Sequence, residues 1–173
     1  MKNIVFALLL CFAAISARGA TDLANINQGN IRLGGGVGVG YSTYSSTIVS
    51  VSPLFQYFVA DGFAVGLDTD LMFSKNYDTY AAGPLISYYF WNREKWAAYL
   101  EQSFKYFQER NYRPDVLSAD PYWVSTSTVG ANYFFTPYVA IGPKLSYSID
   151  MQERANDERL STVNLTGHIS VFF

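Results

Sequence analysis

Residues 63–74 read Phe-Ala-Val-Gly-Leu-Asp-Thr-Asp-Leu-Met-Phe-Ser, with a large apolar side chain at nearly every second position. One face of this segment is apolar and is interrupted only by Thr69; it carries Phe63, Val65, Leu67, Leu71 and Phe73. The opposite face is small or polar, with Ala64, Gly66, Asp68, Asp70 and Ser74. Because successive side chains of a strand point to opposite faces, this alternation predicts a β-strand with one apolar face.

The same alternation occurs eight times between residue 31 and the last residue, 173. The predicted strands begin near Ile31, Val49, Phe63, Tyr80, Trp96, Trp123, Val139 and Leu160. Each has about ten to thirteen residues, against about five or six in an ordinary globular sheet. Ten residues at about 3.3 Å each, tilted by about 40°, rise about 25 Å, which is the height of the apolar band of an outer-membrane barrel.

The connections between these strands alternate in length. The short ones are Asp61-Gly62, residues 92–94 and Thr136-Pro137. The longer ones are residues 44–47, 74–78, 108–121 and 151–159. Short turns at one end and longer loops at the other are typical of outer-membrane barrels, whose termini are periplasmic. We therefore predict an all-β fold, an eight-stranded antiparallel up-and-down transmembrane β-barrel.

The composition decides which face of the barrel is outside. A soluble eight-stranded barrel such as a lipocalin would place the apolar face inside. Its surface would then carry roughly a quarter to a third of charged residues, whereas the face with Gly34, Gly36, Gly38 and Gly40 is small and poor in charge. Aromatic side chains also concentrate near both strand ends, as in the girdles at the two interfaces of a bilayer. The apolar face is therefore predicted to contact lipid.

The N-terminal segment has the pattern of a secretory signal. Lys2 precedes an apolar run at residues 4–15, and small residues follow, with Ala17-x-Gly19 as the predicted cleavage site and cleavage after Ala17 as an alternative. The predicted domains are a signal peptide at 1–19 and a barrel at 20–173. The single cysteine, Cys11, lies in the signal segment, so the mature chain would contain no disulfide.

Two phrases and the C-terminus resemble a known superfamily. Residues 59–67 (Val-Ala-Asp-Gly-Phe-Ala-Val-Gly-Leu) and residues 138–147 (Tyr-Val-Ala-Ile-Gly-Pro-Lys-Leu-Ser-Tyr) look like turn-and-strand phrases of the small outer-membrane β-barrels, grouped with OmpX and the OmpA transmembrane domain. The ending Ile169-x-Val171-x-Phe173 resembles the terminal signal recognised by the outer-membrane assembly machinery. The resemblance covers essentially the whole mature chain.

This resemblance implies a location and partners. The chain is expected in the outer membrane of a Gram-negative-type bacterium, exported through the periplasm. Its expected partners are membrane lipid, lipopolysaccharide and, through Phe173, the assembly machinery, and it is expected to be a monomer. The net charge of −2 is too small to indicate a nucleic-acid partner.

Six charged residues on the small, inward face form the candidate site. They are Arg32, Asp68, Asp70, Glu101, Lys105 and Lys144, three of each sign. Burying an unpaired charge inside a barrel costs on the order of several kcal/mol. We therefore expect these six residues to form a network of salt bridges that plugs the lumen. A gated pore or a binding site is the alternative use of the same residues.

Catalytic, metal and cofactor sites are not expected. His168 is the only histidine, and a metal site needs several such ligands. Lipid A-modifying barrels place their catalytic residues near the outer leaflet, whereas His168 is predicted near the periplasmic end. We therefore predict a non-enzymatic barrel with a structural or surface-interaction role. A narrow channel or carrier for small or hydrophobic molecules is the second hypothesis, and a lipid A-modifying enzyme is the third.

Overall fold

Eight long strands make up nearly all of the chain that the computed structural model describes, which is residues 26–42, 46–112, 120–151 and 161–173. The strands are β1 (Ile31–Ser42), β2 (Ser46–Ala60), β3 (Phe63–Ser74), β4 (Tyr77–Arg93), β5 (Trp96–Asn111), β6 (Tyr122–Phe134), β7 (Val139–Asp150) and β8 (Ser161–Phe172). The predicted signal peptide lies outside the described residues. Within them, no helix is both long enough and apolar enough to cross a membrane.

The strands close into a barrel in which each pairs antiparallel with the next and β8 pairs with β1. The predicted eight-stranded antiparallel up-and-down barrel is confirmed. The closing pair differs from the others in its extent. β1 pairs with β2 along all twelve of its residues. It pairs with β8 only over four, from Arg32 opposite Phe172 to Gly35 opposite Ile169.

The apolar face is on the outside of the barrel, as the sequence predicts. Leu67 and Leu145 are 48% and 46% exposed, whereas Arg32 and Glu101 are 2% and 8% exposed. The aromatic side chains predicted near the short turns are outside as well, including Trp96, Phe135, Tyr138 and Phe173. Burial is thus reversed relative to a soluble barrel, because the charged side chains of Arg32 and Glu101 are inside and a large apolar face is outside.

Three tight connections define the end that we call the short-turn end. Gly62 has a φ of 71° in the β2–β3 turn, a backbone conformation that glycine adopts without strain. Glu94 and Lys95 form the β4–β5 turn, and residues 135–138 connect β6 to β7. In this last turn the Thr136 hydroxyl accepts hydrogen bonds from the backbone N–H groups of Tyr138 and Val139, at 3.2 and 3.0 Å.

At the opposite end, which we call the loop end, the connection predicted at 74–78 is present but shorter than predicted. β4 already begins at Tyr77, so only Lys75 and Asn76 connect it to β3. The Ser74 hydroxyl accepts hydrogen bonds from the N–H groups of Asn76 and Tyr77, at 3.3 and 3.1 Å, which fixes a tight turn. The other predicted long connections lie largely outside the described residues, at 43–45, 113–119 and 152–160.

A β-bulge interrupts the alternation near the end of β4. The register with β5 shifts between Tyr89 and Trp91, so the extra residue Phe90 has no partner. Phe90 and Trp91 are both exposed, at 46% and 44%, while Tyr89 points into the barrel. The alternation holds as far as Tyr88, which pairs with Phe63 and Leu100 of the outer face although it is only 9% exposed, and it is broken after Tyr89. A bulge of this kind cannot be detected from the period-two pattern alone.

Candidate functional site

A buried layer around Arg32 crosses the lumen nearer the short-turn end. The Arg32 guanidinium donates to Glu101 Oε1 at 2.7 Å, to Gln56 Oε1 at 2.9 Å and to Ser170 Oγ at 3.0 Å. Ser87 Oγ donates to the same Glu101 oxygen at 3.2 Å. Arg32 and these four residues come from five different strands, and charge-assisted hydrogen bonds are stronger than those between neutral groups. The Arg32 layer therefore connects opposite walls of the barrel.

An aromatic plug fills the short-turn end of the lumen below this layer. Its members are buried and come from the N-terminal segment and the inner face of the wall: Ile26, Phe58, Tyr89, Tyr99, Phe134 and Phe172. Ring centroids lie 5.0 Å apart for Phe134 and Phe172 and 5.3 Å apart for Tyr89 and Tyr99. The Arg32 guanidinium carbon lies 5.1 Å from the Tyr99 ring centroid, so it also makes a cation–π contact.

The segment before β1 completes the plug. Ile26 is fully buried, and its carbonyl oxygen accepts a hydrogen bond from the N–H of Gly62 at 2.8 Å. Gly29 N–H donates to the Phe58 carbonyl at 2.9 Å. The sequence analysis missed this plug. A signal was present, because Phe58, Phe134 and Phe172 occupy inward positions of their strands.

His168 lies within this closed half of the barrel, at 7% exposure. Its Nε2 lies 2.7 Å from Asn132 Oδ1 and 3.2 Å from the Tyr99 hydroxyl. The described residues that hydrogen-bond to its side chain include no serine and no carboxylate, so they do not form a nucleophile–base–acid arrangement. The imidazole here contributes to packing and hydrogen bonding in the lumen.

A second charged group lies toward the loop end. Lys105 Nζ is 2.9 Å from Asp68 Oδ2 and also bonds Asp70 Oδ2, and all three side chains are on the inner face. Lys144 also lines this region. Among the described residues, no carboxylate oxygen lies within 4.0 Å of Lys144 Nζ. The six candidate residues are thus divided into an Arg32–Glu101 pair, a Lys105 triad and a separate Lys144.

We expect Lys105→Ala to destabilise the barrel by about 1–3 kcal/mol, since it leaves Asp68 and Asp70 on one face without their shared counter-ion. Lys144→Ala is the matched control, because it removes a lumen lysine for which the described part of the chain offers no carboxylate within 4.0 Å. Urea unfolding in lipid vesicles measures the free energy of unfolding of both variants and of the wild type. Equal losses for the two variants would show that the triad does not stabilise the barrel.

A cavity, which we call the upper cavity, lies between the Arg32 layer and the loop end. It has two adjoining compartments of about 480 and 200 Å³, which share Ser50, Asp70 and Lys105 in their lining. On the inner face, hydroxyl groups of the neighbouring strands β6 and β7 are hydrogen-bonded in pairs. Thr126 Oγ1 lies 2.9 Å from Ser148 Oγ, and Thr128 Oγ1 lies 2.8 Å from Ser146 Oγ. The lumen therefore has a closed half at the short-turn end and a polar, open half at the loop end.

Polar side chains also meet outside the lumen at the loop end. The Tyr112 hydroxyl donates to Asp78, and this hydrogen bond raises the pKa of Tyr112. The Arg110 guanidinium carbon lies 5.6 Å from the Tyr112 ring centroid. Arg110 belongs to β5 rather than to the predicted loop, and most of that loop lies outside the described residues.

Metal binding has no obvious site in the part of the chain that the structure describes. No group of three or more His, Cys, Asp or Glu residues there could hold a metal ion. The observed fold is that of a small eight-stranded barrel, and its own side chains fill the short-turn half of the lumen.

Comparison with known proteins supports the same class. No family model matches the chain, and no curated protein matches it in sequence. Solved structures do match. The N-terminal β-barrel domain of Pseudomonas aeruginosa OprF has a TM-score of 0.61 at 13% identity, covering 84% of this chain and 98% of that one. Neisserial surface protein A also has a TM-score of 0.61 at 13% identity, covering 83% and 96%.

The outer membrane protein OprG from Pseudomonas aeruginosa matches with a TM-score of 0.52 at 11% identity, over 86% of this chain and 98% of that one. At these identities the likeness concerns the fold. The chain therefore has the fold of the small outer-membrane β-barrels, and the resemblance predicted from the sequence is confirmed at that level.

Proposed function

We propose that the chain is an integral outer-membrane barrel with a closed lumen, and that its role is structural or one of surface interaction rather than catalysis. The exposed apolar belt supports membrane insertion, because soluble monomers rarely expose apolar patches beyond about 300–600 Å². Leu33, Val65 and Ile141 belong to this belt, at 44%, 37% and 41% exposure. The solved structures of the same fold include that of an outer membrane protein, OprG from Pseudomonas aeruginosa.

The single observation that carries the closed-lumen proposal is the Arg32 layer together with the aromatic plug. Arg32 is hydrogen-bonded to three other strands, and Phe58, Tyr99 and Phe134 are at most 2% exposed beneath it. An ion would have to displace this packed group to pass through the lumen. A trans-membrane channel, the second hypothesis, is therefore less well supported.

Orientation follows from the turns. Outer-membrane barrels place their short turns in the periplasm, so the plug would face the periplasm and the upper cavity the outside. Arg110 and Tyr112 would then lie at the lipopolysaccharide level, where the guanidinium can contact lipid phosphates. Phe173 is 60% exposed at the periplasmic end, where the assembly machinery would recognise it. We propose that the barrel is a monomer.

The expected result in planar bilayers is an absence of steady single-channel steps from the purified protein, with a wide porin inserted in the same bilayers as the positive control. Steady steps from this protein would contradict the closed lumen. A gel of boiled and unboiled samples checks insertion separately. Identical migration of the two samples would contradict the membrane-inserted barrel itself.

The absence of catalysis has its own test. His168 lies in the closed half of the lumen and bonds an amide and a phenol, which supports a non-enzymatic role. Lipid A mass spectra from cells expressing the protein should match those from cells without it. A deacylated or acylated lipid A species that depends on expression would overturn this part of the proposal.

A further inference from the structure

The β1–β8 seam is open in the loop half of the barrel. Beyond Gly35 and Ile169, no residue of β1 pairs with β8 within the described ranges. Val37 and Leu165, on the two sides of this gap, are 77% and 75% exposed, against 44% for Leu33 in the paired part. The inward-facing residues of β8 in the same stretch, Asn164 and Thr166, are exposed as well. The wall of the barrel is therefore incomplete here.

An apolar groove lies on the outside of the seam. It has a volume of about 570 Å³ and is lined by side chains such as Leu33, Val51, Pro53 and Ile169. A volume between about 300 and 1,000 Å³ is usual for ligand sites. The groove extends from the paired part of the seam, at Leu33 and Ile169, to the gap at Val37, and in a membrane it would face the acyl chains.

The groove and the upper cavity meet at the same residues. Gly36, Val37 and Gly167 line both the outer groove and the smaller compartment of the upper cavity. A Cβ on Gly36 would meet only the Gly167 carbonyl oxygen, at 3.5 Å, and a Cβ on Gly167 would have nothing within 4 Å. The residues that the groove and the cavity share are two glycines and one valine, and neither glycine has a side chain to fill the space between the strands.

A cation lies just inside this point. Lys144 is opposite Thr166 in the β7–β8 register, one strand away from the gap, and it lines the compartment that Gly36 and Gly167 border. Lys105 is neutralised by two carboxylates, whereas Lys144 has none within 4.0 Å among the described residues. The inner side of the opening thus presents an ammonium group and hydroxyls to whatever enters from the apolar groove.

We propose that the seam is a lateral entrance for a single-chain anionic amphiphile, a long-chain carboxylate from the membrane. Its chain lies in the apolar groove, and its carboxylate passes between Gly36 and Gly167 to Lys144. A gap bordered by glycines suits one chain and a small headgroup. This inference rests on the proposed insertion in the membrane, and it is compatible with a closed lumen because the occupant never passes the Arg32 layer.

The test uses the mature chain in lipid nanodiscs and palmitate that carries a photoreactive diazirine next to its carboxylate. Mass spectrometry then locates the adducts. We expect labelling of lumen-facing residues beside Lys144, such as Ser146 and Thr166. Lys144→Gln should lower this labelling about tenfold, the loss that corresponds to one charge-assisted hydrogen bond, and Lys144→Arg should retain it.

Blocking variants test the route. Gly36→Phe fills the opening from the lumen side and Gly167→Phe from the lipid side, and each should abolish lumen labelling. Ala82→Phe is the matched control, since Ala82 is exposed on β4, on the far side of the barrel, and the change should leave labelling intact. Two blocking variants are used so that a folding defect in one, detected by loss of heat-modifiability, leaves the other informative.

Adducts confined to the outer face, spread evenly around the barrel, would show ordinary lipid contact and overturn the inference. Equal lumen labelling in the wild type and both blocking variants would also overturn it. A lysophospholipid with the same diazirine is a second arm: if it labels the lumen and palmitate does not, the proposed occupant is wrong. A protein that is not heat-modifiable in nanodiscs would instead contradict the proposed function.

Discussion

Replacing Glu101 by alanine is expected to destabilise the barrel by about 3–5 kcal/mol, because it leaves a buried guanidinium without its counter-ion. Arg32 is 2% exposed, and its Nη1 lies 2.7 Å from Glu101 Oε1. Ser87 and Gln56, which bond the same carboxylate, would each lose one of their hydrogen-bond partners. Urea unfolding of the folded protein in vesicles measures the loss.

Two further variants separate the ion pair from the side-chain volume. The double variant Arg32→Met with Glu101→Leu removes both charges and replaces them with apolar side chains of similar volume. Its free energy of unfolding should therefore fall much less than that of Glu101→Ala. Glu109→Ala, near the loop end of the same strand, should change stability by less than about 1 kcal/mol. If Glu101→Ala and Glu109→Ala have equal effects, the Arg32 layer does not hold the barrel closed.

Gly142→Ala is expected to cost about 3 kcal/mol, the upper range for atoms forced into a packed structure. A Cβ at this position would overlap the backbone carbonyl oxygen of Ala131 on the neighbouring strand. A backbone atom inside a ladder cannot move aside as the end of a side chain can. Gly83→Ala should behave in the same way, because its Cβ would overlap the Phe104 carbonyl oxygen.

Gly167→Ala is the matched control for these two variants, since its Cβ would have no atom within 4 Å. Its effect should stay within about 0.5 kcal/mol. Urea unfolding compares the three proteins under one condition. A loss of stability at Gly167 as large as that at Gly142 would mean that close strand approach does not account for the effect of alanine.

The strands and their faces could be predicted from the sequence because side-chain direction in a strand has a strict period of two. Leu67 and Asp68 illustrate this. Because they are consecutive in the strand, one side chain faces lipid and the other faces the lumen. The bulge at Phe90 and the tight turn after Ser74 could not be predicted. Each depends on local hydrogen bonds that leave almost no trace in the apolar pattern.

The candidate site was predictable only in part, for a related reason. Inward direction follows from the strand pattern, so the positions of Arg32 and Glu101 inside the lumen could be expected. Their pairing could not, since the two residues are 69 positions apart and meet only through the register of several strands. The short β1–β8 pairing is likewise a property of the closed barrel and not of either strand alone.

The four-pair closure between β1 and β8 also gives the barrel two mechanical regimes. A cylinder whose strands are hydrogen-bonded along their whole length cannot widen without breaking those bonds. Here β1 together with β2 can move apart from β8 together with β7 in the loop half, where no β1–β8 pairing of the described residues has to be broken. The short-turn half, tied by Arg32 and packed with rings, remains stiff. The barrel wall can therefore deform in its loop half while its short-turn half keeps its diameter.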